Sequence, residues 1–183
     1  MFESAKSVLQ FRRFERNSAQ RRLNKSANVA DLRKISKRRL PGGVFDYIDG
    51  AAEDERTLSR NSAAFAKYGF KPRVLRDVSD INSSSSVLGR VTPFPLILSP
   101  TGFTRIAHPS GELAVSRAAV RAEIPFTLST MATRSIEEIS TATANQTSKE
   151  GFDPRNWFQV YVWKDRSLLK DLLQRAHHSN FEA

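Results

Sequence analysis

Ser99, Ser129 and Gln159 stand thirty residues apart, each ending or lying within a short apolar run: Pro95–Leu98, Ile124–Leu128 and Trp157–Val162. A strand, a crossover helix and two loops together occupy about thirty residues in a parallel β/α unit. Polar residues recurring at the C-terminal ends of such strands sit where α/β folds place their ligands. Ser129 offers a hydroxyl, and Gln159 offers an amide with two donors and an acceptor. In the segment Ser99-Pro100-Thr101-Gly102-Phe103, Pro100 removes an N–H and fixes its own φ, while Gly102 lets a flat ligand approach the main chain. That turn suits a planar heteroaromatic ring, although the segment read alone favours a plain strand-to-helix connection. Gln159 falls in an apolar run and needs partners if buried. Tyr161, two residues on, is expected to share its face. A ligand explains that pair better than packing does.

Other chemistry finds less support. With no cysteine, disulfides, thiolate metal sites and cysteine nucleophiles are excluded. His108, His177 and His178 share no ligand spacing with carboxylates, so no metal site is expected. Glu53-Asp54-Glu55 reads as an acidic helix start favoured by the helix dipole. Neither a Ser/His/Asp order nor a phosphate-cradling glycine motif is present.

The elements that must position these residues follow from periodicity and punctuation. Asp31 is placed as the cap of a helix over Leu32–Leu40 that stops at Pro41-Gly42-Gly43. A second helix covers Val44–Ile48 and breaks at Gly50; a third runs from Glu53 to Tyr68 and ends at Gly69. Extended pieces surround Val74-Leu75 and Val87-Leu88, with Ser83–Ser86 as a loop. Then follow strand Pro95–Ser99, helix Gly111–Ala122, strand Ile124–Ser129, helix Ser135–Thr141, strand Trp157–Val162 and a helix capped by Asp165. The first of these helices carries Leu113, Val115, Ala118, Ala119 and Ala122 as a packing face, and the last repeats Leu168, Leu169, Leu172, Leu173 and Ala176 at helical spacing. The pattern is β-α three times over, and the third strand is expected to leave an open apolar edge.

Charge is unevenly distributed. Of the net +10 on 183 residues, residues 1–40 contribute +9, from 12 Lys and Arg against Glu3, Glu15 and Asp31. Residues 1–28 read as a loosely ordered basic arm and 29–183 as the domain. Such an arm can contact an anionic membrane surface or simply remain solvated. No interleaving of basic and aromatic residues continues into the domain, which argues against nucleic acid as a partner. No run approaches the roughly 18 to 20 apolar residues of a membrane span, and the first residues lack the apolar core of a secretory signal. The expected location is cytoplasmic, with peripheral contact to the inner membrane face through the arm as an alternative.

Four segments carry a family resemblance: LPGGVFDYIDGAAEDE (Leu40–Glu55), LSPTGFTRIAHPSGE (Leu98–Glu112), IPFTLSTMATRSIEEI (Ile124–Ile139) and NWFQVYVWKDR (Asn156–Arg166). From Asp31 onward the chain resembles the N-terminal half of the FMN-dependent α-hydroxy-acid dehydrogenases and oxidases, with wording most similar to the bacterial L-lactate dehydrogenases. The resemblance implies a TIM (β/α)8 barrel of the FMN-linked type, truncated here to the N-terminal cap and about three β/α units. It implies FMN as cofactor, a small L-2-hydroxy acid as substrate, and a quinone, a cytochrome or oxygen as electron acceptor. Pro100, Thr101 and Gly102 match the segment lying against the flavin ring, and Ser129 and Gln159 match two of its hydrogen-bonding partners. Tyr47 matches the tyrosine that binds the substrate carboxylate. Tyr161 matches the catalytic tyrosine between substrate and flavin. Met131 stands where glycolate oxidases carry tryptophan, which implies a roomier pocket. The family's catalytic histidine, its carboxylate-binding arginines, its flavin-side lysine and its phosphate loops belong to the half not represented here. The isolated chain is therefore expected to be inactive, with a non-catalytic remnant or a partner-binding fragment as the alternative. The resemblance also implies homo-oligomers for the full-length relatives.

Overall fold

The computed structural model describes residues 15–146 and 153–183 and divides the chain into two compact units, Met1–Tyr68 and Gly69–Ala183. The first unit is helical. Helix α1 (Ser18–Lys25), within the basic arm, is capped by Asn17, whose side chain accepts from the Ala19 and Gln20 N–H groups. Helix α2 (Val29–Lys37) is capped by Asn28, not by Asp31, which lies in its first turn. Both residue types cap well, and Val29 and Ala30 extend the helix one turn further back than expected. Helix α3 (Gly42–Asp49) stops at Gly50 as expected and buries Phe45. Arg33 of α2 forms a forked ion pair with Asp49 of α3, one arm at 2.7 Å. Helix α4 (Arg56–Phe65) is shorter than expected because Glu53 and Glu55 adopt positive φ (50° and 54°) and so lie in the preceding turn. The acidic triplet therefore precedes this helix and does not begin it.

The second unit opens with an antiparallel hairpin, β1 (Ser85–Val87) and β2 (Arg90–Thr92). Leu88 and Gly89 both have positive φ (49° and 76°), as a tight two-residue hairpin requires. Ser85 and Ser86 thus belong to a strand, which corrects the serine-loop reading. Beyond the hairpin the backbone alternates strand and helix. Leu98 makes a single parallel bridge to β3 (Phe126–Leu128), and β3 pairs in parallel with β4 (Asn156–Phe158) in the register Phe126↔Asn156. The expected edge of β4 is partly covered, since Asn156 O accepts from Glu182 N–H (2.8 Å) and Phe158 N–H donates to Ala183 O (2.7 Å). Among the described residues the sheet does not close into a barrel.

Helices α5 (Gly111–Ala122), α6 (Ile136–Ala144) and α7 (Arg166–His178) follow the three strand positions in turn. Ser135 and Glu138 form a capping box at the start of α6, and Asp165 caps α7 as expected. The core joins Ala119, Ile124, Phe126, Leu128, Ile136, Ile139 and Ala176, with Leu98, Phe158, Leu172 and Phe181 packed against it. On α5 the buried residues are Gly111, Glu112, Ser116, Ala119 and Val120; Val115 and Ala118 face outward, contrary to expectation. Leu168 and Leu173 of α7 also remain exposed.

At the N-terminal end of β4, Arg155 is 2% exposed. Its Nε and Nη2 each donate to the Glu182 carboxylate at 2.9 Å, and Nη2 also donates to Val87 O at 2.7 Å. Trp157 Nε1 donates to the same carboxylate at 3.0 Å. One guanidinium thus joins the hairpin, β4 and the last residues of the chain.

Helices α6 and α7 are clasped by Arg175, which donates to both Glu137 oxygens at 2.8 and 3.0 Å. This hydrogen bonding holds the Glu137 carboxyl far below its ordinary 4.5, at about 2. A depressed folded-state pKa stabilises fully above the unfolded value, and that stabilisation is lost as pH falls from 4.5 towards 2. Both side chains are roughly half exposed, so solvent screening limits the effect to about 1 kcal/mol or less. Urea unfolding at pH 6 and pH 3 is expected to show a smaller loss of stability in Glu137→Gln than in the unaltered chain. Equal losses would count against this clasp.

Candidate functional site

The candidate site lies at the C-terminal ends of the parallel strands and is held together by side chains from two of them. Ser129, directly after β3, is buried. Gln159, expected inside a strand, comes one residue after β4 ends, where its N–H donates to Leu128 O at 2.9 Å. The two side chains meet: Gln159 Oε1 accepts from Ser129 Oγ and from Thr130 N–H, both at 3.3 Å. The Thr130 N–H can only donate, so it fixes the amide orientation with Oε1 inward. Gln159 Nε2 is then left with two hydrogens and no protein acceptor among the described residues. Ser129 Oγ also accepts from Met131 N–H at 3.0 Å.

Thr130 was not singled out from the sequence, yet it links both strand ends. Its hydroxyl donates to Gln159 O and accepts from Tyr161 N–H, the latter at 3.2 Å. The only sequence signal was its place directly after Ser129, in step with Gln159 one repeat later. Tyr161 itself lies beyond β4 with its side chain 52% exposed, so the inward, strand-bound placement expected for it does not hold.

The loop after Leu98 packs on the loop after β3. Phe103 N–H donates to Met131 O at 3.0 Å, and a Cβ added to Gly102 would meet Met131 Cβ at 3.1 Å. Gly102 therefore also favours close loop-on-loop packing, since a Cβ there would make Met131 give by a few tenths of an ångström. Ser99, Pro100 and Thr101 are exposed along this loop. His108 is exposed too, and its Nδ1 accepts from Ser110 N–H at 3.2 Å. Tyr47 belongs to the first unit, on α3, and is 64% exposed. Among the described residues, no cluster of three or more His, Asp or Glu side chains could hold a metal.

The half-buried Gln159 amide with its Nε2 turned away from its protein partners, the adjacent Ser129 hydroxyl and the exposed Pro100-Thr101 turn fit a planar heteroaromatic ring with acceptor atoms along one edge. A flavin isoalloxazine has that chemistry.

A parallel β/α unit with a polar ledge at its strand ends defines the class of ligand-binding α/β proteins. The comparisons narrow it: residues 36–183 match the family model described as FMN-dependent dehydrogenase, and the chain belongs to that family. It is 42% identical over 175 residues to a protein of Mycobacterium tuberculosis provisionally named L-lactate dehydrogenase, covering 96% of this chain and 40% of the relative. It is 40% identical over 156 residues to glycolate oxidase 1 of Oryza sativa, covering 85% of this chain and 40% of that enzyme. A solved soluble mutant of the membrane-associated (S)-mandelate dehydrogenase from Pseudomonas putida superposes with a TM-score of 0.75 at 39% identity, covering 84% of this chain and 41% of that structure. The chain thus spans about two-fifths of the length of these relatives.

Proposed function

We propose that the chain forms one wall of the active site of an FMN-dependent enzyme that oxidises a lactate-like L-2-hydroxy acid to the 2-oxo acid. The single observation that carries this reading is the Gln159 amide, locked by Ser129 and Thr130 with both Nε2 hydrogens free at the strand ends. FMN, when bound, supplies the two-electron acceptor. Gln159 Nε2 donates to an acceptor atom on the ring edge, Ser129 supports that amide, and the Pro100–Gly102 main chain supports the ring face. Tyr161, whose main chain is held by Thr130, places its phenol beside the reacting carbon and is the catalytic residue of this wall. On the family resemblance alone, and not on its placement, Tyr47 is assigned the substrate carboxylate, which a phenol O–H can bind by donation. The Met131 thioether, half exposed, leaves room for the substrate side chain.

Three strand positions supply one wall of such a site, while an FMN-linked barrel uses eight. The 183-residue chain alone is therefore proposed to lack turnover, the rest of a (β/α)8 barrel being needed. The open sheet also favours a second reading, a non-catalytic remnant or a fragment that pairs with a partner carrying the missing strands. The proposal extends to a quinone, cytochrome or oxygen as electron acceptor, to homo-oligomers for the full-length enzyme, and to a cytoplasmic location. Residues 1–28 are proposed as a basic arm distinct from the domain 29–183 and able to touch an anionic membrane face. None of the helices described is long and apolar enough to cross a membrane.

The test is FMN titration of the full chain, read by flavin fluorescence, followed by anaerobic L-lactate. Weak FMN binding is expected, reduced about tenfold in Gln159→Leu through loss of its hydrogen bonds. Identical binding by the variant would sink the assignment of Gln159, and absence of binding would favour the remnant. Bleaching by lactate would overturn the proposed inactivity.

A further inference from the structure

The loop that carries the flavin-facing groups, residues 129–134, is held from below by a charge. Glu112, in the first turn of α5, is 2% exposed. Its Oε1 accepts from Thr133 N–H at 2.8 Å and its Oε2 from the Thr133 hydroxyl at 2.7 Å. Burial alone would push this carboxyl up, but its hydrogen bonds taken together, those from Thr133 foremost, hold the group below its ordinary value. The charged form is therefore the one present at neutral pH. Taking a carboxylate out of water is costly unless its hydrogen bonds are well made, and here both oxygens are engaged by one residue.

Thr133 is two residues from Met131 and four from Ser129. Between them the loop is tied at Ala132 N–H to Ser129 O (3.0 Å), at Met131 N–H to Ser129 Oγ (3.0 Å), and at Met131 O to Phe103 N–H (3.0 Å). Beyond Thr133, the Ser135–Glu138 capping box fixes the start of α6. Most of these ties are internal to the strand-end loops or belong to the next helix. Among the described residues, Glu112 is the α5 side chain that hydrogen-bonds the middle of the segment.

We propose that Glu112 is a positioning residue for this site: a buried carboxylate that touches no ligand and sets Ser129 and Met131 in place through Thr133. The inference rests on the flavin reading above. In that reading Ser129 steadies the Gln159 amide and Met131 borders the substrate, so one carboxylate governs both the ring edge and the pocket wall.

The experiment compares the unaltered full chain with Glu112→Ala, Glu112→Gln and Ile139→Ala. With no FMN present, the Thr133 and Met131 amide signals in a nitrogen-15 NMR spectrum are expected to shift in Glu112→Ala, and their solvent exchange to quicken by about tenfold or more. FMN affinity, read by fluorescence quenching of free flavin, is expected to fall about tenfold in that variant. Glu112→Gln keeps an oxygen for the Thr133 N–H and should recover most of both signals. Ile139→Ala lowers stability without removing any hydrogen bond of the loop, and at a temperature where it remains folded its FMN affinity should stay within about twofold of the unaltered chain. Unmoved Thr133 and Met131 signals in Glu112→Ala would overturn the proposal. So would an FMN loss equal in Glu112→Ala and Ile139→Ala, because stability alone would then account for it. If the unaltered chain binds no FMN, the flavin reading falls and the ligand half of this inference with it; the amide signals still decide the clamp.

Discussion

Replacing Arg155 with alanine is expected to destabilise the second unit by roughly 3 kcal/mol, because it strips the largely buried Glu182 of its forked guanidinium partner and leaves it only the distant Arg90, at 3.9 Å. The side chain is almost wholly enclosed and its fork spans two carboxylate oxygens and the Val87 carbonyl. Arg155→Lys should recover little, since an ammonium cannot reproduce that planar, two-pronged geometry. Arg155→Met combined with Glu182→Leu should recover more than either single change, because it removes both buried charges together. Urea unfolding followed by tryptophan fluorescence measures this well. Trp157 donates to Glu182 and sits 5.8 Å from the Arg155 guanidinium, so its emission reports on the node itself. A loss under about 1 kcal/mol would place the node among ordinary surface ion pairs.

Ile139→Ala should cost about 2–5 kcal/mol, the range for emptying a fully packed aliphatic site. Ile139 is 0% exposed at the centre of the cluster that joins β3 to α6 and α7. Leu173→Ala provides the contrast. Leu173 sits in a regular leucine pattern on α7, yet it is 48% exposed. Its loss should fall within about 0.5 kcal/mol or slightly more, as for most surface substitutions. Paired urea titrations decide the matter, and equal costs for the two variants would show that α7 buries its outer face in solution.

The alternation of strand and helix was legible because it rests on local signals. Apolar runs gave the positions of β3 and β4, although the expected strand Pro95–Ser99 shrinks to the single Leu98 bridge, while Asp165 gave the start of α7 and Gly50 the end of α3. The placing of Ser129 and Gln159 at strand ends was legible from their thirty-residue period, and parallel register then makes them neighbours that hydrogen-bond, a contact the spacing alone did not announce. Strand lengths were overestimated because the apolar pattern continues where the ladder of hydrogen bonds has stopped, as at Gln159 and Tyr161. The small-residue face of α5 was misjudged because a run of alanines carries little directional information. Helix α5 instead turns Glu112 and Ser116 inward, where each finds a hydrogen-bond partner. Glu112, Thr130 and Arg155 escaped notice for one reason. A buried polar residue declares itself only through its partner, and those partners lie about 20 to 70 positions away in the chain.

The hold of Arg155 on the β1–β2 hairpin has a consequence for how this stretch can drift over generations. Its guanidinium grasps the carbonyl oxygen of Val87, a group that every amino acid provides. Substitutions at the outward-facing Ser86 or Val91 therefore leave the grip intact. What must persist is the course of the backbone, set by the left-handed pair Leu88-Gly89 and by the wholly enclosed Thr92. The grip thus depends on the path of the chain more than on its letters.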